Sequence, residues 1–246
     1  MSKRILDLFL IVSLIIIWWI GSFFFESYLL PSPFKTFKIL FGMLNLNLFI
    51  DISHSIVRLI IAYIISLLIT FTLSMFAQIN GSVQYCINTI FSALIKVPNV
   101  AYITFFLLFL GIGTPTIITT IIITTVPITG LALNGILKNL NKDILEISMI
   151  YNVPFLRKVF YFYLPTVFDS FYPIYTMSIS FAFKVMVMTE FIAGMNGLGY
   201  KLVEKKTEFD MSGVIAYIII IVLIGIILQK LIEYLYRKVI NVYSRI

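Results

Sequence analysis

The sequence is short of what a water-soluble surface is made from. Only 12% of its 246 residues are charged, against about 25% in an ordinary soluble domain. Too few charges to clothe a globule in water leave the bilayer as the solvent. There is a single cysteine, Cys86, inside an apolar stretch, so a disulfide framework and a cysteine metal site are both excluded. The single histidine, His54, argues against histidine-based catalysis or metal binding. Carboxylates are scattered rather than clustered, which argues against a membrane-embedded enzyme. No Gly-x-x-x-x-Gly-Lys-Ser/Thr phosphate loop occurs, so ATP hydrolysis by this chain is not expected. Low-complexity tracts, solenoid repeats and a matched pair of broken half-helices are also missing. The last of these weighs against a self-contained secondary transporter or channel.

What is present is apolar length. Hydrophobic residues make up 61% of the chain and the mean hydropathy is +1.06. The pattern predicts an all-α, polytopic membrane protein of one domain (1–246) with about six spans. The first runs over about 5–25. It is too long for a typical signal-peptide core and no small-x-small site follows, so it reads as a retained span. Trp18 and Trp19 near its outer end suit an interface. Leu30-Pro31-Ser32-Pro33 breaks the helix. Phe34, Phe37, Ile39, Leu40 and Met43, with Lys35 and Lys38, then predict a short amphipathic helix at the surface. The core spans fall within about 52–237. The second covers 52–77 and closes at the turn dipeptide Asn80-Gly81. The third covers 83–110 with Pro98 inside. Gly111-Ile112-Gly113-Thr114-Pro115 is a tight turn. The fourth covers 116–137 with Pro127 inside, the fifth 166–192, and the last 213–232. Between the fifth and last lies a loop, 193–212, holding Gly194, Gly197 and Gly199.

The net charge of +7 would suggest nucleic acid in a soluble protein. Here it follows the positive-inside bias, and nucleic acid is not an expected partner. With the N-terminus inside, ten lysines and arginines fall in inner segments, five in outer ones and three within spans. Both termini are then cytoplasmic, and 138–165 is a large cytoplasmic loop. In that loop Asn141 is a good N-cap, with Asp143 in the first helical turn. Asn152 can take a left-handed C-cap, and Pro154 is pre-organised to open a second helix. A helix, a sharp turn and a helix can insert into a groove on another protein. The same residues serve equally well as a surface helix pair that only connects spans.

Four charges lie inside spans, where they are costly and point to function by default: Arg58, Lys96, Lys184 and Glu190. The functional reading makes Lys96 and Lys184 attractors of an anion and Glu190 part of an outer gate, with Pro98 as a hinge. The plainer reading is snorkelling, or charge pairs that hold helices together. Lys184 and Glu190 are six apart and poorly placed to pair on one helix. The threonines 116, 119, 120, 124, 125 and 129 offer hydroxyls for bonds between helices, as packing first and pathway second.

Glu146-Ile147-Ser148, three residues, Asn152, nine residues and Phe162-Tyr163-Leu164-Pro165 resemble the cytoplasmic Glu-Ala-Ala motif of binding-protein-dependent ABC permeases. The spacing matches at every anchor. The departures are Ile147 and Ser148 for alanine, Asn152 for glycine and Phe162 for isoleucine. Further segments are similar to the sulfonate/nitrate/taurine-type permeases: Leu30-Pro31-Ser32-Pro33, His54-Ser55-Ile56-Val57-Arg58, Lys96-Val97-Pro98, Gly111-Ile112-Gly113, and Glu190 followed by Gly197-Leu198-Gly199-Tyr200. The resemblance implies a MetI-like permease architecture in a bacterial plasma membrane. It implies that Glu146, Ile147, Ser148, Asn152, Pro154, Leu164 and Pro165 form a coupling helix region docking an ABC ATPase. Two ATPase subunits, a second permease copy (a homodimer) and an extracytoplasmic binding protein are the implied partners. The chain itself would bind no cofactor, with ATP and Mg on the ATPase. Sulfonates, taurine, nitrate, or a vitamin or thiamine precursor are the implied cargoes.

Overall fold

The computed structural model describes residues 3–138, 153–160 and 172–243. Among the described residues there are ten helices and no strand. They are α1 (Lys3–Phe24), α2 (Pro33–Gly42), α3 (Leu46–Ala77), α4 (Gly81–Ile95), α5 (Asn99–Leu110), α6 (Thr114–Lys138), the short α7 (Phe155–Lys158), α8 (Tyr172–Ala193), α9 (Leu198–Thr207) and α10 (Met211–Tyr243). Four of them are long and apolar enough to cross a membrane: α3, α6, α8 and α10. Taken together, α4 and α5 have the length and apolarity of one more, but the pair is bent by 90° at the break between them. α1 is apolar from Phe9 to Gly21 and stands apart, its main contact being with α2.

The start signals act where the sequence places them. The Ser32 hydroxyl accepts the Lys35 amide ahead of Pro33 at the first helical position of α2. Asn45 and Asn80 cap α3 and α4 by accepting the amides of Leu48 and Val83 at 3.1 and 2.8 Å, each cap contributing about 1 kcal/mol. As the pattern predicts, α2 is amphipathic. It buries Thr36 and Leu40 and exposes Phe34 and Phe41.

The third predicted span is not one straight helix. Pro98 has no amide hydrogen and disfavours helix in the residue before it. The chain leaves the helix at Ile95 and re-enters at Asn99. The freed Leu94 carbonyl accepts from the Val97 amide and from the Tyr102 hydroxyl at 2.9 Å. Pro127 has a milder effect, since α6 runs on through it.

The centre is the packing of α3 on α6, with α8 against both. Their facing surfaces are small or weakly polar: Ser55, Ala62, Ser66 and Thr70 on α3, and Thr116, Thr120, Thr124 and Thr129 on α6, all buried. Without a hydrophobic drive between helices in lipid, such side chains let backbones come close. The threonine hydroxyls are spent mostly on their own helix, on carbonyls one turn back. Among these threonines, Thr129 also bonds across to the next helix, to Thr70 of α3 at 2.7 Å. The α4–α6 contact is tighter still: a Cβ at Gly130 would overlap the buried Phe91 ring. Leu40, Leu48, Leu198, Ala216, Tyr217 and Ile220 close one end of the bundle, and Met75, Leu133, Leu137 and Val159 the other.

Candidate functional site

Ser55 and Arg58 sit one turn apart on the buried face of α3. Their partner is Glu190, one turn before the end of α8 and fully buried. Arg58 Nη1 lies 2.9 Å from Glu190 Oε1. The Ser55 hydroxyl donates to the same carboxylate at 2.8–2.9 Å and accepts the Leu198 amide at 2.9 Å. Gly199 N–H donates to Glu190 Oε2 at 3.1 Å. The carboxylate thus meets the N-terminus of α9, where unpaired amides and the helix dipole favour an anion. The rest of the guanidinium is also used. Nε donates to Thr114 Oγ1 at 3.1 Å, Nη1 to the Asn196 carbonyl at 3.0 Å, and Nη2 to Asn196 Oδ1.

The glycines of this loop make the approach possible. Gly197 has φ +101°, where an L side chain is strained, and a Cβ there would overlap the Glu190 carboxylate. A Cβ at Gly199 would overlap the Val187 carbonyl. Gly111 and Gly113 also have positive φ, and Gly113 N–H bonds the Ala193 carbonyl at 2.8 Å. Three segments that are far apart in sequence therefore close into one clasp at one end of the bundle. Beyond it, α9 carries two exposed-side ion pairs, Lys201–Glu204 and Lys205–Glu208. The hydrogen bond to its glutamate holds each lysine above the usual lysine range.

The other two charges behave differently. Lys96 caps the end of α4 at the bend and is exposed, and Lys184 is exposed near the middle of α8. Among the described residues neither forms an ion pair. Lys96 and Pro98 line a cavity of about 300 Å³ with Tyr102, Thr124, Ile128 and Phe181. Lys184 lines a second, of about 270 Å³, with Thr176, Ser180, Phe181 and Gln229. Phe181 is common to both. A lysine at the centre of an apolar span costs roughly 2.5–3.5 kcal/mol, and no ion pair among the described residues offsets that cost at either position.

Of the residues expected at the pathway, the structure brings Lys96 and Pro98 together and sets Lys184 on the adjoining cavity. Glu190 lines neither, being enclosed in the clasp. Sequence reasoning treats Arg58 and Glu190 separately and overlooks Thr114 and Asn196. The available signal was the pair of short motifs, His54–Arg58 and Glu190–Tyr200, now found in contact. The loop 193–212 also proves to hold a helix, α9. Of the expected coupling residues, Pro154 directly precedes α7, and its carbonyl accepts the Lys158 amide at 3.1 Å. Glu146, Ile147, Ser148, Asn152, Leu164 and Pro165 lie outside the described residues. Among the described residues no group of three metal-binding side chains comes together.

A family model described as binding-protein-dependent transport system inner membrane component matches residues 69–241. No curated protein matches the chain in sequence. In the crystal structure of a bacterial ABC transporter involved in the import of the acidic polysaccharide alginate, one chain superposes with a TM-score of 0.66. It is 12% identical, and the match covers 96% of both chains. At that identity the likeness is one of fold, the all-helical MetI-like permease fold.

Proposed function

Because the chain belongs to the family of binding-protein-dependent transport system inner membrane components, we propose that it is the translocating subunit of an ATP-binding cassette importer for a small solute. The single observation that carries this is the family match over residues 69–241, from the last part of α3 into α10. The like-folded chain of the alginate importer supports it. In this reading α1 is the sixth crossing and both termini are cytoplasmic in a bacterial plasma membrane. Two copies form the pathway as a homodimer. An extracytoplasmic binding protein delivers the solute at the outer end, where the clasp and α9 lie. Two ATPase subunits, with ATP and Mg, dock on the 138–165 loop through Glu146, Ile147, Ser148, Asn152, Pro154, Leu164 and Pro165.

Closure of the ATPases would push on that loop and reorient α6 and α8, which it joins. The bend at Lys96–Pro98 lets α4 and α5 move separately against α6. The cargo is a small organic anion or oxyanion, such as a sulfonate, taurine or nitrate, or a vitamin precursor. The chain carries no chemistry of its own.

The test is an affinity purification of the tagged chain from its native membrane in mild detergent, with co-purifying proteins identified by mass spectrometry. Recovery of a phosphate-loop ATPase together with a second copy of the chain is the expected result. A stable complex of this chain alone, in several detergents, would turn the reading to a self-contained transporter. Glu146→Lys reverses a charge at the docking loop. It is expected to abolish ATPase recovery while leaving the amount of membrane-inserted chain unchanged.

A further inference from the structure

Most of the bundle shows lipid-like residues to its surroundings. The outward positions of α3 (Val57, Ile60, Ile61, Ile64) and of α10 (Val222, Leu223, Ile226, Ile227) are exposed and wholly aliphatic. One face departs from this. On α4, Tyr85, Asn88, Thr89, Ser92 and Lys96 follow helical spacing and line a cavity of about 350 Å³. Their side chains share one face. That stripe ends at the bend, where Lys96 enters the second cavity, bounded by Phe181. On the other side of Phe181, Thr176, Ser180 and Lys184 repeat the pattern on α8 at steps of four, with Gln229 of α10.

Hydroxyls, amides and two lysines therefore line three cavities, neighbouring ones sharing Lys96 or Phe181, while the exposed positions of α3 and α10 named above are aliphatic. Behind them the polar lining goes deeper. Asn88 Oδ1 accepts from Asn134 Nδ2 at 2.7 Å, and Asn134, 2% exposed, keeps a side-chain oxygen with no partner. Lipid is a poor neighbour for this face, and a dry contact with protein would strand both ammonium groups. Water and a mobile counter-charge satisfy it.

We infer that the face running from Tyr85 through Lys96 and Phe181 to Lys184 is a water-filled path for a small anion, with Lys96 and Lys184 as its selectivity charges. This rests on the permease reading for the identity of what moves. The two lysines flank the aromatic ring near the middle of their crossings, and among the described residues neither pairs with a carboxylate. An anion arriving there meets two positive charges in a low-dielectric wall, where the field is focused. A cation meets the same charges as a barrier. Between the two lysines, Phe181 offers an apolar surface for the non-ionic part of an organic anion.

The test needs no knowledge of the natural cargo. In a Cys86→Ser background, Ser92→Cys and Ser180→Cys each place a thiol one helical turn from a lysine, at Lys96 and Lys184 respectively. Val222→Cys is the lipid-facing control. The tagged chain, with whatever co-purifies, is placed in lipid nanodiscs. It is then reacted with the sulfonatoethyl and the trimethylammonioethyl methanethiosulfonates, an anionic and a cationic probe of similar size. Taking the ratio of the two rates cancels the effect of each lysine on thiol reactivity itself.

The expected result is reaction at both stripe positions and none at Val222→Cys. The anionic probe is favoured on the order of tenfold or more over the cationic one, and Lys96→Met with Lys184→Met removes the bias. Stripe thiols that stay unreactive while an ATPase co-purifies would overturn the path and leave the permease reading standing. Reaction without a charge bias, or with a bias indifferent to the lysines, would overturn the anion. A lysine-dependent bias in a preparation without any ATPase would uphold the path and overturn the ABC reading instead.

Discussion

Two pairs of charges sit within the crossings of this protein, and the chain treats them in opposite ways. In the clasp, Arg58 and Glu190 are buried and bonded at every polar atom that can reach a partner. Near mid-depth, Lys96 and Lys184 are exposed and unpaired among the described residues. Both arrangements carry the cost of ionised groups away from bulk water. In the clasp that cost is offset locally, so the charges serve geometry by fixing α3, α8 and the start of α9 as one unit. At Lys96 and Lys184 no ion pair among the described residues offsets it. A satisfied charge teaches how the protein is held, and an unsatisfied one teaches what it handles.

The comparison breaks most sharply at Arg58. Arg58→Ala leaves Glu190 and Asn196 without their donor, and removing one member of a buried pair costs about 3–5 kcal/mol. Equilibrium unfolding in mixed detergent–SDS micelles is expected to show a loss of that size, with α9 becoming accessible to protease. The double variant Arg58→Met with Glu190→Leu is expected to lose less than Arg58→Ala, because no charge is then left stranded. A double variant as unstable as the single one would show that the bonds to the α9 amides, rather than the ion pair, hold the clasp.

A smaller effect is expected one step away, at Gly197→Ala. The side chain would meet the Glu190 carboxylate and occupy a left-handed backbone. Strain and overpacking together cost about 1–3 kcal/mol, read in the same unfolding measurement. Pairing it with Glu190→Ala tests the mechanism. The steric part of the loss is relieved in the double variant and the backbone part stays.

Much of the fold was legible because the apolar runs are long and the caps are ordinary. Asn45, Asn80 and Pro33 mark helix starts by local chemistry, and Pro98 marks the bend. The clasp was not legible for a plain reason. Arg58 and Glu190 are 132 residues apart, and no spacing rule reaches between two spans. α9 was read as loop because its glycines dominate the local pattern. Its helix is supported by Leu198 and Leu202 packing inward and by ion pairs three residues apart, which stabilise a helix only slightly. The threonines of α6 were expected to offer hydroxyls for bonds between helices, but those hydroxyls mostly bond within α6. A threonine can always reach the carbonyl one turn back, whereas a partner on another helix needs exact register.

Lys96→Met sharpens the comparison from the other side. Its ammonium is unpaired, so folding stability is expected to change by under about 1 kcal/mol, or to rise, since the substitution removes a charge from an apolar span. A loss comparable to that of Arg58→Ala would place Lys96 among the structural charges and erase the contrast.

The smallest expected effect concerns the threonine–threonine bond between α3 and α6. Thr70 and Thr129 share a hydrogen bond of 2.7 Å close to Pro127, whose ring leaves the Ile123 carbonyl without its helical donor. Thr70 also approaches the Val126 carbonyl at 3.4 Å. The bond is buried, and in water-poor surroundings a large contribution is tempting to assume. Yet Thr129 already has the Thr125 and Val126 carbonyls within reach of its hydroxyl, so losing Thr70 strands no donor. Measured bonds of this kind between membrane helices average about 0.6 kcal/mol. Thr70→Val, which keeps the shape, is expected to cost about that much in SDS unfolding. A loss several times larger would mean that Thr70 stabilises the backbone around Pro127 rather than the contact between the helices. The threonine seam would then belong with the clasp, as a device that fixes geometry, instead of being filler between helices.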